Sequence, residues 1–252
     1  MRTLIFLAAL SMTPALAAPV TLNLNVMNGA QPFTGQLTTS AGQTLNTTLW
    51  QLYISNVALV RADGSEVPVA GLSLIKLDAK GPFQNIPAFR GDAPAGQYRG
   101  VRFDVGLPRA LNHVDASTQS DPLGVDAGMF WAWNPGYIFS RYEAKATIGN
   151  QVVDVYLHMG EDKRRLSVNL ADVMKPGTTV SVGAAGGTVN VNLDAGKMVA
   201  SGLNGGKFDV SDAQYLQVHS GEVADQLYLN LSGAFSLAGT PQVSGTKTPA
   251  GK

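Results

Sequence analysis

The 252-residue chain is 45% apolar and 14% charged, with eighteen basic against eighteen acidic side chains. That composition supports a sizeable folded core and excludes bulk disorder, and the balanced charge argues against nucleic acid as a partner. There are no cysteines, which excludes disulfide stapling, lipidation on cysteine, and the cysteine-ligated zinc and iron-sulfur classes.

In chain order, residues 1–18 read first, as a secretory signal. Arg2 opens it, Leu4 to Leu10 is its apolar run, and Ala15-Leu16-Ala17 is a small-x-small cleavage pattern. Cleavage makes Ala18 or Pro19 the new first residue and removes Arg2, leaving seventeen basic residues against eighteen acidic. The mature protein is thereby expected in the periplasm or outside the cell. No later run reaches the roughly 20 apolar residues a membrane-spanning helix needs.

Twenty-eight glycines and thirteen prolines punctuate short alternating runs. Together they predict an all-β domain, an antiparallel β-sandwich, over residues 19–238. In Thr21 to Asn28, Leu22, Leu24 and Val26 alternate with asparagines, the period of a half-buried strand. Trp50 to Val60 repeats the period, with Trp50, Leu52, Ile54, Ala58 and Val60 expected on one face; Val67 to Leu77 returns after the turn Ala62-Asp63-Gly64-Ser65.

Gly96 to Leu107 sets Tyr98, Val101, Phe103, Val105 and Leu107 in near-alternation, with Gly100 a place for a bulge and Pro108 a stop. Tyr137 to Thr147 and Val152 to Met159 read as a strand pair. In the second strand Val153, Val155, Leu157 and Met159 share one side, which puts His158 on the other with Asp154 and Tyr156. Thr178 to Leu193 keeps the alternation through Val180, Val182, Val189, Val191 and Leu193, whereas glycines break Met198 to Phe208. After Ser220, the spacing of Val223, Leu227, Leu231, Ala234 and Phe235 predicts a short C-terminal helix closing over the sandwich. Residues 239–252, rich in Pro, Gly, Thr and Lys, read as a flexible tail.

The residues with chemistry are few: three histidines and three tryptophans. Imidazole is the commonest side-chain ligand for transition metals and indole the most easily oxidised side chain, so their clustering in Leu111 to Glu143 points to a metal or redox site or to an aromatic core corner. His113 projects from the end of a strand that stops at Pro108, and His158, just before Gly160, reaches the same end if its strand runs that way. His219 is either a third ligand or part of the helix start. Trp131 and Trp133 share a face if Met129 to Trp133 is extended, and serve either core packing or redox chemistry; Trp50 reads as core.

Asp115, Asp121 and Asp126 offer oxygen ligands to calcium without the spacing of an EF-hand. A metal-free or calcium-stabilised sandwich acting as a binding or adhesion module, with Trp131 and Trp133 as a stacking platform, is the rival reading. No nucleophile, Walker or dinucleotide fingerprint is present, so a non-enzymatic role is expected.

The ordered motifs LNHVD, DPLGVDAGMFWAWNPGYIFSRYE and VYLHMGE, preceded by WQLYISNVALVRADGSEVPV and APAGQYRGVRFDVGLP and followed by QVHSGEVADQLYLNLSGAFSL, resemble the MbnP family from about Val20 to Leu237. The resemblance implies a secreted copper-binding β-sandwich, often paired with a di-haem cytochrome c peroxidase-like protein of the MauG kind. That partner oxidises a tryptophan to kynurenine, and the modified residue supports copper binding by histidines. On this chain the resemblance points to His113 of Asn-His and His158 of Leu-His-x-Gly as ligands. It puts Trp131 and Trp133 in the family's aromatic motif, while Trp50 stays a third candidate for oxidation. Two departures stand out. The four cysteines of many members are missing, Glu161-Asp162-Lys163 following Leu-His-x-Gly, and Asn56 takes the place of a histidine often found in the first long strand.

Overall fold

The computed structural model describes residues 17–69, 71–134, 136–171 and 179–238; most of the predicted signal and the whole predicted tail lie outside the described residues. Two sheets face each other across a shared core. One has the order Phe235–Leu237, Gly187–Asp194, Ala17–Asn28, Gln31–Pro32, with Ile86–Pro94 also paired to Ala17–Asn28. The other runs Leu166–Asn169, Gly100–Val105, Thr44–Val60, Ile138–Ile148, Gln151–Gly160, Gln217–Val218, and Gln36–Thr38, Glu66–Pro68 and Leu72–Asp78 also pair with Thr44–Val60. The all-β sandwich expected from the alternation is therefore what the chain forms.

The pairing is mostly antiparallel, but Ala17–Asn28 runs parallel to Gly187–Asp194 in register. Leu22, Leu24 and Val26 thereby meet the core beside Val189, Val191 and Leu193. The intervening asparagines face outward, where Asn23 Nδ2 donates to Asn190 Oδ1 at 3.3 Å and Asn25 Nδ2 to Asn192 Oδ1 at 3.2 Å. Period-two alternation thus builds an apolar ladder on one face and an amide ladder on the other.

Thr44–Val60 is the longest strand and changes character along its length. It alternates at first, then Trp50 to Ser55 are all buried. Trp50, Leu52 and Ile54 enter the inter-sheet core, whereas Tyr53 points outward into a second cluster with Leu107, Ala116, Leu123, Met129, Trp131, Tyr137, Ile138 and Phe139. The segment between Gly106 and Tyr137 forms this outer layer, and two phenols pin it. Tyr53 Oη donates to the carbonyl of Pro122 at 2.6 Å and Tyr137 Oη to that of Leu123 at 2.7 Å, with the rings edge to face at 6.0 Å.

Three sequence expectations are corrected. Beyond Ile54 the core residues are Val57 and Leu59, because a bulge at Asn56, whose φ is 50, shifts the phase that would have brought Ala58 and Val60 inward. Leu107 joins the outer cluster rather than the face of Val105, because Gly106 turns the chain with φ 116. The helix spans Gly221–Ser232, with Val223, Ala224, Leu227 and Leu231 buried; Phe235 begins a strand beyond it, edge to face with Phe103.

Arg164, fully buried, fastens this helix. Its Nε donates to Asp225 Oδ1 at 2.7 Å and Nη2 to the Gly221 carbonyl at 3.1 Å, while Nη1 lies 3.1 Å from the Glu161 carboxylate. A guanidinium out of water needs such partners to offset its lost hydration.

Leu24, 1% exposed in the parallel pair, provides a test of this core. Leu24→Ala is expected to cost about 2–5 kcal/mol of unfolding free energy, read as a lower urea midpoint at an unchanged m-value.

Candidate metal centre

His158 and His219 come together through backbone register. Gln151–Gly160 has Ile138–Ile148 on one side, with Arg141 opposite His158 and Glu143 opposite Tyr156. Its other side holds the short parallel strand Gln217–Val218, with Gln217 beside Tyr156 and Val218 beside Leu157. A histidine follows Leu157 within its strand and follows Val218 just past the end of its own. Their rings lie 4.8 Å apart, centroid to centroid, at 61°. As the alternation predicts, His158 shares its side with Tyr156, ring centroids 6.0 Å apart, while Met159 is buried in the core.

The surroundings of His158 set its protonation. Nε2 lies 3.2 Å from Glu143 Oε1, and Glu143 is held by Arg141 Nε at 2.7 Å. Burial, then the neighbouring His219, pushes the His158 pKa down to about 4, against the pull of Glu143. Burial also lowers that of His219. The contact to Glu143 is therefore a neutral imidazole N–H donating to a carboxylate, and both rings are in the form that ligates metal. His219 Nδ1 is buried without a hydrogen-bond partner, a cost that a bound group on that nitrogen would remove.

The tryptophan motif approaches from the outer layer. Phe130 bridges Tyr137, and the Trp131 amide donates to the Gly136 carbonyl at 3.0 Å, so the chain between them is a turn and not the extended run that would put both indoles on one face. Trp131 is 5% exposed and Trp133 63%. Their rings touch at 5.5 Å with a tilt of 42°, and Trp133 meets His219 at 6.1 Å. Gly160 makes room for the inner indole: a Cβ there would lie 2.5 Å from the Trp131 ring. The Leu-His-x-Gly and Met-Phe-Trp-x-Trp motifs thus interlock physically. One buried and one tilted exposed ring do not form the coplanar platform a stacking module requires.

His113 has different partners. It shares a cleft of about 260 Å³ with Asn112, Trp131, Asn134, Gly136, Glu161 and Asp162. Its Nε2 is 3.0 Å from Asp162 Oδ2, which also takes Arg109 Nη1 at 2.5 Å, while Oδ1 accepts from Asn112 at 2.8 Å. Trp131 lines the His113 cleft and touches Trp133. Trp50 is deep in the sandwich, donating to Ser140 Oγ at 3.0 Å. Asn56 donates to the buried Asp104 at 2.8 Å, within a network that includes Ser167. Asp115 caps the turn Ala116–Thr118 by accepting from the Ser117 amide. No group of three or more His, Cys, Asp or Glu side chains placed to hold a metal occurs among the described residues.

Residue-by-residue sequence reading does not single out Glu143, Arg141 or Asp162. The signal for the first two is present, since Arg141 and Glu143 stand two apart on a predicted strand next to that of His158. Asp162 belongs to a turn after Gly160 and has no periodic signature.

Fold and site together define an all-β sandwich in which His158, His219, Trp131 and Trp133 gather where an outer loop layer meets the edge of the larger sheet. The chain belongs to the MbnP family, whose model matches residues 17–227. Among solved structures it is similar to MbnP from Methylosinus trichosporium, at 19% identity over 76% of this chain and 83% of that one, with a TM-score of 0.53. That likeness is one of fold. No curated protein matches.

The depressed His158 pKa has a consequence for the metal-free protein. Above the unfolded value of 6.5 the ring is neutral in both states and its stability contribution is intact. As pH falls from 6.5 toward about 4, the unfolded chain takes up a proton that the folded chain refuses, and stability is lost. Denaturation midpoints of the metal-free protein should fall over this window, and His158→Gln should flatten the slope.

Proposed function

We propose that this protein binds copper through His158 and His219, as a binding or handling protein rather than an enzyme, in the extracytoplasmic space to which its leader directs it. The observation that carries the reading is the pair of imidazoles 4.8 Å apart, His158 buried and His219 half-buried, the latter with an unpartnered Nδ1. Imidazole suits both copper oxidation states, and an extracytoplasmic protein meets the metal without competing cytosolic thiols. His113 stands outside this donor set, engaged by Asp162.

Two nitrogens leave the coordination sphere open. The family resemblance supplies a further donor, a tryptophan oxidised to kynurenine by a di-haem MauG-like partner. Trp133 is our choice among the three indoles because it is both exposed to a docking protein and in ring contact with His219. Trp131 is shielded by the sandwich edge, and Trp50 by the core. Kynurenine carries an aromatic amine and a ketone, either of which adds a donor beside the two imidazoles.

The test is intact-mass spectrometry with metal analysis on protein produced with and without the haem partner. The wild type is expected to show the kynurenine mass shift and about one copper per chain, as imidazole ligation at a single site requires. Trp133→Phe should abolish the shift. His158→Ala and His219→Ala should each strip copper while His113→Ala retains it. Unchanged copper in the His158/His219 double variant would sink the reading.

A further inference from the structure

We propose that Glu143 is a positioning residue that holds the His158 ring in one orientation and one tautomer, with the proton on Nε2 and the lone pair on Nδ1. The argument starts from the strands flanking His158. Glu143 reaches it from Ile138–Ile148 and His219 from the opposite edge, after Gln217–Val218. The ring is therefore bracketed, with Nε2 committed to the Glu143 carboxylate at 3.2 Å. A neutral imidazole has one N–H and one lone pair, so an Nε2–H that serves an acceptor leaves Nδ1 as the donor atom.

Glu143 is itself clamped. Arg141 Nε donates to the same Oε1 at 2.7 Å, and Arg141 Nη1 donates to the Gly128 carbonyl at 2.7 Å. Gly128 leads directly into Met129, Phe130 and Trp131. A continuous line of hydrogen bonds thus runs from the base of the tryptophan loop through Arg141 and Glu143 to His158, and the loop and the imidazole keep a fixed mutual placement. Carboxylates that receive the second N–H of a ligating histidine are a recurrent means of fixing ring orientation and raising ligand basicity. Only the affinity arm of the test below rests on the copper reading above.

The experiment combines imidazole ¹⁵N NMR on the metal-free protein with copper titration, and circular dichroism to verify folding. The wild type should show an unprotonated Nδ1 and a slowly exchanging Nε2–H on His158. In Glu143→Ala that proton should be lost to solvent exchange and copper affinity should drop by about 10- to 100-fold. Glu143→Gln keeps an acceptor in place and should retain the protected proton and most of the affinity. A protonated Nδ1 in the wild type, or unchanged protection of Nε2–H in the folded Glu143→Ala protein, would overturn the proposal. Loss of protection in Glu143→Ala, with no copper taken up by the wild type, would uphold the positioning role and remove the copper reading instead.

Discussion

Burial of both faces of the middle of Thr44–Val60, from Trp50 to Ser55, is the constraint on which the rest of the molecule depends. A strand in a two-layer sandwich ordinarily shows one face to solvent. Here the inner face, with Trp50, Leu52 and Ile54, anchors the inter-sheet core, and the outer face presents Tyr53 to the loop layer. Tyr53 and its bond to the Pro122 carbonyl, with Ile138 and Phe139 of the neighbouring strand, give the long connection from Gly106 to Tyr137 a surface to pack on. That connection carries His113, Trp131 and Trp133. Placement of the candidate site is therefore a packing consequence of the central strand.

At the site, two opposing effects are balanced. Desolvation lowers the pKa of His158 and keeps it neutral, while the Glu143 carboxylate alone would favour a charged ring. Burial dominates. An imidazole that is neutral and already oriented by a carboxylate has neither a proton to lose nor a rotor to freeze when a ligand arrives. The Nδ1 of His219 is the complementary feature, a buried nitrogen without a hydrogen-bond partner.

The two indoles of the tryptophan motif have separate roles because a turn intervenes. Trp131 fills the space above Gly160 and locks the loop to the strand that bears His158, whereas Trp133 stays largely in solvent beside His219. His113, although in the same stretch of chain, is drawn toward Asp162, on the turn that follows Gly160, which also pairs with Arg109 of the short helix Arg109–Asn112.

Local patterning was enough to determine the all-β class, the faces of Thr21 to Asn28 and Val152 to Met159, the closing helix, and the family, since side-chain alternation, helical spacing and ordered motifs are properties of neighbouring residues. Wherever a single backbone dihedral reset the phase, at Asn56 and Gly106, alternation named the wrong residues for the inward face, because period-two reasoning carries no memory of a bulge. The parallel partnership of Ala17–Asn28 with Gly187–Asp194, and the pairing of His158 with His219, were decided only by the tertiary structure. Both join segments far apart in the chain through backbone hydrogen bonds, which any sequence can make, so the residues themselves hold no local trace of the partner they will meet.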